Sequence, residues 1–154
     1  MKKIKLFLVM ALFFSLIGCE QKKQPFDFIM FYANWCPTCE GAKEKFIPKL
    51  EEEFAGQINI TYYDIDTAEG MKAYKQYVGY IDKDGNEVKG LLKDVEREFK
   101  ELEQFPLFIV EGYYGFFNWA SIYNNDYIED IKNVLNGKEY RASIYDVVYA
   151  YEKK

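Results

Sequence analysis

The chain has 154 residues, 49% of them hydrophobic, and its 25 Asp and Glu against 20 Lys and Arg give a net charge of −5. This length allows one domain with a substantial core, and the acidic balance without a basic stripe excludes nucleic-acid binding as its function. The chain contains no histidine, which excludes cysteine–histidine hydrolases, Ser-His-Asp triads and histidine-ligated copper delivery.

The first eighteen residues have the order of an export signal. Three lysines precede the apolar run 6–17, which is too short to span a bilayer comfortably. The run ends in Leu16-Ile17-Gly18-Cys19, which resembles a bacterial lipobox. We therefore predict a lipoprotein signal peptide over residues 1–18, with cleavage before Cys19 and lipid added to its sulfur. An ordinary signal peptide or an uncleaved anchor is the alternative interpretation.

Cleavage at this point would leave a more acidic chain close to a membrane. Removing three lysines leaves 17 Lys and Arg against 25 Asp and Glu, a net charge of −8. Residues 19–25 are predicted to form the lipid-anchored cysteine and a short tether, in which five residues reach about 17 Å. Several acyl chains on Cys19 would anchor the protein firmly in the bilayer. We expect the domain 26–154 to be extracytoplasmic, on the outer or periplasmic side of a bacterial membrane.

A strand followed by a helix is predicted around two closely spaced thiols. The run Phe26 to Tyr32 is almost continuously apolar, as in a strand buried on both faces, and residues 42–54 repeat apolar side chains at helical spacing. Cys36 then lies near a helix N-terminus, with Pro37 at the first helical position. The helix dipole and free N–H groups there should lower the pKa of the Cys36 thiol. A thiolate with Cys39 one turn away is suited to disulfide exchange.

Two other interpretations of the Cys-x-x-Cys pair are weaker. A structural disulfide closing so short a loop would constrain little unfolded-state entropy. A zinc site would need two carboxylate ligands to complete a tetrahedron, because histidine is absent. We therefore predict neither a metal nor another cofactor.

The segment 31–39, Phe-Tyr-Ala-Asn-Trp-Cys-Pro-Thr-Cys, resembles the active-site segment of thioredoxin-like thiol–disulfide oxidoreductases. Pro106 sits where that family has a cis-proline facing the two cysteines, and Pro48 matches the proline that kinks its active-site helix. The resemblance spans roughly residues 26–135. It implies an α/β fold of the thioredoxin-like, three-layer α/β/α type, with a mixed central sheet and flanking helices.

The resemblance also implies the site residues and their roles. Cys36 is the expected nucleophile, Cys39 the resolving thiol, and the two form the redox-active disulfide. Supporting and substrate-binding roles fall on the residues around them: Trp35, Pro37, Thr38, Phe105 and Pro106. Trp35 and Phe105 are expected to line an apolar shelf for an extended substrate, and Thr38 to offer the thiolate a hydroxyl or N–H group.

Two departures from the family affect the expected chemistry. Thioredoxins usually carry a buried acid six residues before the first cysteine, where this chain has Met30. Proton transfer to Cys39 must then use water, Glu40 or another acid. Proline after the first cysteine resembles glutaredoxins and periplasmic oxidases, but Thr38 replaces an oxidase-type histidine. The direction of electron flow therefore stays open.

The middle of the chain continues the α/β pattern. Ile58–Asp64 is predicted to be a second parallel strand and Ala68–Tyr77 a helix, with Asp64 and Asp66 making caps and turns. Residues 78–104 exceed a minimal thioredoxin-like domain. Apolar residues at helical spacing from Val88 to Leu102 predict an inserted amphipathic helix before the cis-proline, packed on the domain edge or docking a partner.

The last third is predicted to close the sheet. Residues 107–111 and 116–119 flank glycines and predict an antiparallel hairpin. A helix should follow over Asp126–Leu135. The C-terminal extension 138–154 favours a last helix, although its β-branched and tyrosine content leaves a strand open. We expect Tyr113, Tyr114 and Trp119 to lie in the core.

Two functions remain as hypotheses. The first is a membrane-anchored thiol–disulfide oxidoreductase that acts on protein thiols and disulfides, with a membrane redox partner. The second is a redox-inert thioredoxin-fold lipoprotein that binds a partner through its insertion or extension. Trapping of mixed disulfides distinguishes the two.

Overall fold

The computed structural model describes residues 24–102 and 104–152, which form an α/β domain around a mixed five-stranded sheet. The strand order is β2-β1-β5-β6-β7, with β1 and β2 parallel and the other neighbours antiparallel. A separate two-stranded sheet pairs β3 with β4. The elements are β1 Phe26–Tyr32, α1 Pro37–Lys45, α2 Ile47–Glu53, β2 Ile58–Asp64, α3 Ala68–Val78, β3 Gly79–Ile81, β4 Glu87–Lys89, α4 Arg97–Leu102, β5 Leu107–Val110, β6 Tyr114–Phe117, α5 Asn124–Leu135 and β7 Val147–Ala150.

Strand β1 lies inside the sheet, between β2 and β5, and its side chains are apolar on both faces. Phe28 points toward α1 and α2, where its ring lies 6.2 Å from that of Phe46. Phe31 points the opposite way and contacts Tyr74 and Tyr77 of α3 at 5.7 and 5.6 Å between ring centroids. Helices therefore cover both faces of the sheet, and the predicted bounds of β1 and β2 are confirmed.

The helix predicted after Cys39 is divided in two. Helix α1 ends at Lys45, Phe46 caps it, and α2 begins at Ile47 with Pro48 in its first turn. Proline has no N–H to donate and its ring collides with the carbonyl four residues earlier, so one straight helix cannot pass through Pro48. The break turns the chain while Phe46 stays fully buried against the sheet.

The prediction of one long helix in the insertion is wrong for residues 88–96. Asp82 accepts N–H bonds from Asp84 and Asn86, both at 2.9 Å, and this turn joins β3 to β4. Leu92 then forms an isolated bridge to Tyr151. Only residues 97–102 are helical. Val88 lies in β4 instead, and the buried Leu92 pairs with a distant residue, which periodicity alone does not reveal.

The preference for a last helix in the C-terminal extension, residues 138–154, is also wrong. After a short 3₁₀ turn over Ala142–Ile144, β7 pairs with β6, and Val148 lies opposite Phe116. Tyr149 occupies the other face and packs on Phe99 and Phe117. The segment forms a strand because the edge of β6 is available for pairing, and β-branched and aromatic residues pack well on such an edge. The predicted antiparallel hairpin of β5 and β6 is confirmed, but its second strand begins at Tyr114 rather than at residue 116, and it does not close the sheet.

A buried polar network holds the segment before β7 against α5. Asp130 is fully buried and accepts hydrogen bonds from the Tyr145 hydroxyl at 2.6 Å and from the Arg141 N–H at 3.0 Å. The Tyr145 and Tyr114 hydroxyls are 2.8 Å apart. Burial raises the pKa of both tyrosines, so they keep their protons and Tyr145 can donate to Asp130.

We predict that Tyr145→Phe lowers the free energy of unfolding by about 2 kcal/mol, because Asp130 loses its shortest buried donor. Urea denaturation at neutral pH measures the change. Tyr113→Phe is the matched control, since that side chain is 41% exposed and should shift stability by less than about 0.5 kcal/mol. Equal effects of the two substitutions would show that the Asp130 network does not stabilise the fold.

Candidate active site

Cys36 occupies the N-cap of α1. Strand β1 ends at Tyr32, a short turn follows, and Pro37 is in the first turn of the helix, as predicted. Cys36 has an extended backbone, with φ −95° and ψ 104°, and its sulfur accepts the Cys39 N–H at 3.1 Å. Negative charge on this sulfur would therefore meet an N–H donor and the positive end of the helix dipole.

The structure joins Cys36 and Cys39 in a disulfide, with their Cα atoms 5.3 Å apart. Cys36 is 8% exposed and Cys39 is 1% exposed. A reagent from solution would reach the sulfur of Cys36 before that of Cys39. This difference is what a nucleophile and a resolving thiol require.

The fold brings Phe105 and Pro106 to the same place. The bond between them is cis, as the resemblance implied, and the Phe105 carbonyl oxygen lies 3.9 Å from the Cys36 sulfur. Pro106 is buried, and the half-buried ring of Phe105 packs on Tyr74 at 5.2 Å. Residues 69 positions apart in the chain thus face each other across the site.

The division of the aromatic side chains into buried and exposed ones differs from the prediction at one residue. Trp35 is 67% exposed and directly precedes Cys36. Tyr114 and Trp119 are buried, as predicted, and Trp119 packs beside Gly41 of α1. The core prediction for Tyr113 is wrong, because this residue lies in the turn between β5 and β6 and points outward.

Two side chains differ from what a thioredoxin-like site would offer the thiols. Thr38 is exposed, and the N–H that reaches the Cys36 sulfur is that of Cys39. Met30 is fully buried on the face of β1 that packs on α1, in place of a carboxylate. The proton chemistry of Cys39 therefore depends on groups other than residue 30.

A pocket of about 270 Å³ opens beside the disulfide. Both cysteines line it together with Glu40 and Lys43 from the same helix, and with Ala33 and Asn34 from the preceding turn. Sequence reasoning named Glu40 but missed Lys43. The signal was present, because Cys39 and Lys43 are four residues apart in a predicted helix and share a face.

Lys43 has unusual surroundings for a lysine. Its Nζ lies 3.0 Å from the centroid of the Tyr32 ring. Burial lowers the pKa of the Lys43 ammonium, while the carboxylates of Asp64 and Glu40 act in the opposite direction. The pocket therefore combines two sulfur atoms with one cation and nearby carboxylates.

The acidic residues after β2 have structural partners. Asp64 accepts the Asp66 N–H at 3.0 Å and the Asn34 side-chain amide at 2.6 Å. Thr67 caps α3 by accepting the Gly70 N–H at 3.0 Å. The prediction that Asp64 makes a turn is confirmed, but Thr67 rather than an acidic residue caps α3. The bond between Asp64 and Asn34 also ties β2 to the turn before Cys36.

We predict that in the reduced protein Cys36 is alkylated faster than Cys39, because the Cys39 N–H and the helix terminus stabilise the Cys36 thiolate. Its rate should stay near maximal below the ordinary thiol pKa of about 8.5. Iodoacetamide labelling of Cys36→Ala and Cys39→Ala, followed by mass spectrometry across a pH series, measures each thiol alone. Equal and slow labelling of both would contradict an activated Cys36.

No protein-family model, curated protein or solved structure matches the chain. Among residues 24–102 and 104–152, no helix is long and apolar enough to cross a membrane. The predicted signal peptide over residues 1–18 and the predicted lipidation of Cys19 lie outside the described residues.

Proposed function

We propose that this protein is a thioredoxin-like thiol–disulfide oxidoreductase that exchanges disulfides with protein substrates through Cys36 and Cys39. One observation carries the proposal: the more accessible sulfur of the pair caps a helix N-terminus and faces the cis Phe105–Pro106 bond. A disulfide that only stabilised the fold would need neither feature. The mixed sheet with helices on both faces is compatible with a thioredoxin-like architecture.

The proposed reaction has two exchange steps. The Cys36 thiolate attacks a substrate disulfide, forms a mixed disulfide and releases one substrate thiolate. The Cys39 thiolate then attacks the Cys36 sulfur, which restores the Cys36–Cys39 disulfide and releases the second substrate thiolate. The substrate gains two electrons and the protein pair loses them. The same steps in reverse oxidise a substrate dithiol, and the relative reduction potentials set the direction.

The surroundings of Cys36 suit a protein substrate. Trp35 offers an exposed aromatic face beside the sulfur, and the backbone of Phe105 lies on its other side. An extended chain could pair with this backbone while its cysteine reaches Cys36, as in recognition by strand addition. The pocket beside the disulfide, at about 270 Å³, lies below the roughly 300–1,000 Å³ of typical small-molecule sites, which agrees with a macromolecular rather than a small substrate.

The proposed location is the outer face of a bacterial membrane, with lipid on Cys19. Gln24 and Pro25 lead into the start of β1, whereas Cys36 follows its other end. The strand has seven residues, so its two ends lie about 20 Å apart. A tether entering at Pro25 would therefore direct the disulfide away from the lipid surface and toward proteins of the extracytoplasmic space.

We predict that Cys39→Ala accumulates mixed disulfides in cells, because the intermediate on Cys36 can no longer be resolved. Non-reducing gels should show adducts that disappear on reduction. The double variant Cys36→Ala/Cys39→Ala is the matched control and should show none. If Cys39→Ala gives no adducts either, the protein is the redox-inert binding module.

A further inference from the structure

Resolution of the mixed disulfide requires a proton acceptor. Only a thiolate attacks a disulfide, and Cys39 is 1% exposed, so its proton has little direct access to bulk water. Met30 is buried on the sheet face beneath α1 and cannot accept a proton. The side chains that line the pocket beside the disulfide are in position to do so.

Lys43 has the required position. Cys39 and Lys43 are four residues apart in α1, which places them on one face of the helix, and both line the 270 Å³ pocket. Glu40 lines the same pocket but is exposed, so water competes for its carboxylate. Lys43 is half-buried, and its amine is confined over the Tyr32 ring.

The neighbours of Lys43 come from three elements. Tyr32 ends β1, Asp64 ends β2 directly opposite Tyr32, and Glu40 belongs to α1 itself. The two carboxylates and the face of the Tyr32 ring attract the ammonium, whereas burial, the largest effect, favours the neutral amine and lowers the pKa of Lys43. A lysine with a lowered pKa can act as a base closer to neutral pH than an exposed lysine can.

We propose that Lys43 is the proton acceptor for the Cys39 thiol during resolution, an inference that rests on the proposed oxidoreductase function. The neutral amine takes the proton from Cys39, directly or through one water molecule in the pocket. The Cys39 thiolate then forms the bond to the Cys36 sulfur, and the bond from Cys36 to the substrate sulfur breaks. The substrate leaves with that electron pair as a thiolate, and Lys43 can return the proton to it.

The two exchange steps can be timed separately with dithiobis-nitrobenzoate at equimolar ratio to the reduced protein. Attack by Cys36 releases one coloured thionitrobenzoate anion, and attack by Cys39 on the mixed disulfide releases the second. The first phase therefore reports the proposed function, and the second phase reports Lys43. Stopped-flow absorbance over a pH series gives both rates.

We predict that Lys43→Met keeps the rate of the first phase within about twofold of the wild-type rate and slows the second phase at least about tenfold at neutral pH. The reason is that a positioned base accelerates proton transfer roughly 10²–10⁴-fold when it is unprotonated. The pH profile of the second-phase rate should shift to higher pH, toward the profile of a thiol that no base assists. Lys43→Arg should be equally slow, because arginine keeps the charge but cannot act as a base. Lys45→Met, an exposed lysine of the same helix, should resolve at the wild-type rate.

Four results would overturn the inference. Wild-type resolution by Lys43→Arg would show that positive charge is sufficient. An unchanged second phase in Lys43→Met, or equal slowing in Lys45→Met, would show that this amine has no specific role. A wild-type protein with no first phase at all would refute the proposed function itself, and the role of Lys43 with it.

Discussion

The pairing of β1 with β5 is the constraint on which the site depends. Its antiparallel register sets Phe31 opposite Leu107, so Pro106 arrives beside the end of β1 from which the chain turns into α1. Cys36 caps that helix, and its sulfur consequently lies 3.9 Å from the Phe105 carbonyl oxygen. A shift of one residue would exchange the two faces of β1 and take Phe28 and Phe31 away from Phe46 and Tyr74, so the specific packing on each face fixes the register and with it the site.

The parts predicted well from the sequence are those decided by local chemistry. The continuous apolar run of β1 and the proline after Cys36 specify a buried strand and a helix start without reference to distant residues. The exposed Trp35 and the cis bond at Pro106 followed from a resemblance to known active sites, because composition and periodicity do not determine either.

The parts predicted poorly depend on partners far along the chain. Leu92 is buried because Tyr151 pairs with it, and β7 is a strand because the edge of β6 is available. The role inferred for Lys43 has the same origin, since Tyr32 and Asp64 define its surroundings only once β1 and β2 are side by side. Tertiary contacts of this kind override local periodicity, and a single sequence does not display them.

The central claim is that the Cys36–Cys39 pair exchanges electrons with other proteins rather than stabilising the fold. Its reduction potential tests this most directly, by equilibration of the protein with glutathione buffers, acid quenching and mass spectrometry of the alkylated thiols. We expect a value between about −120 and −270 mV, the range of catalytic dithiols, because the helix terminus stabilises the reduced Cys36 thiolate. A value below about −300 mV, where structural disulfides lie, would contradict the claim.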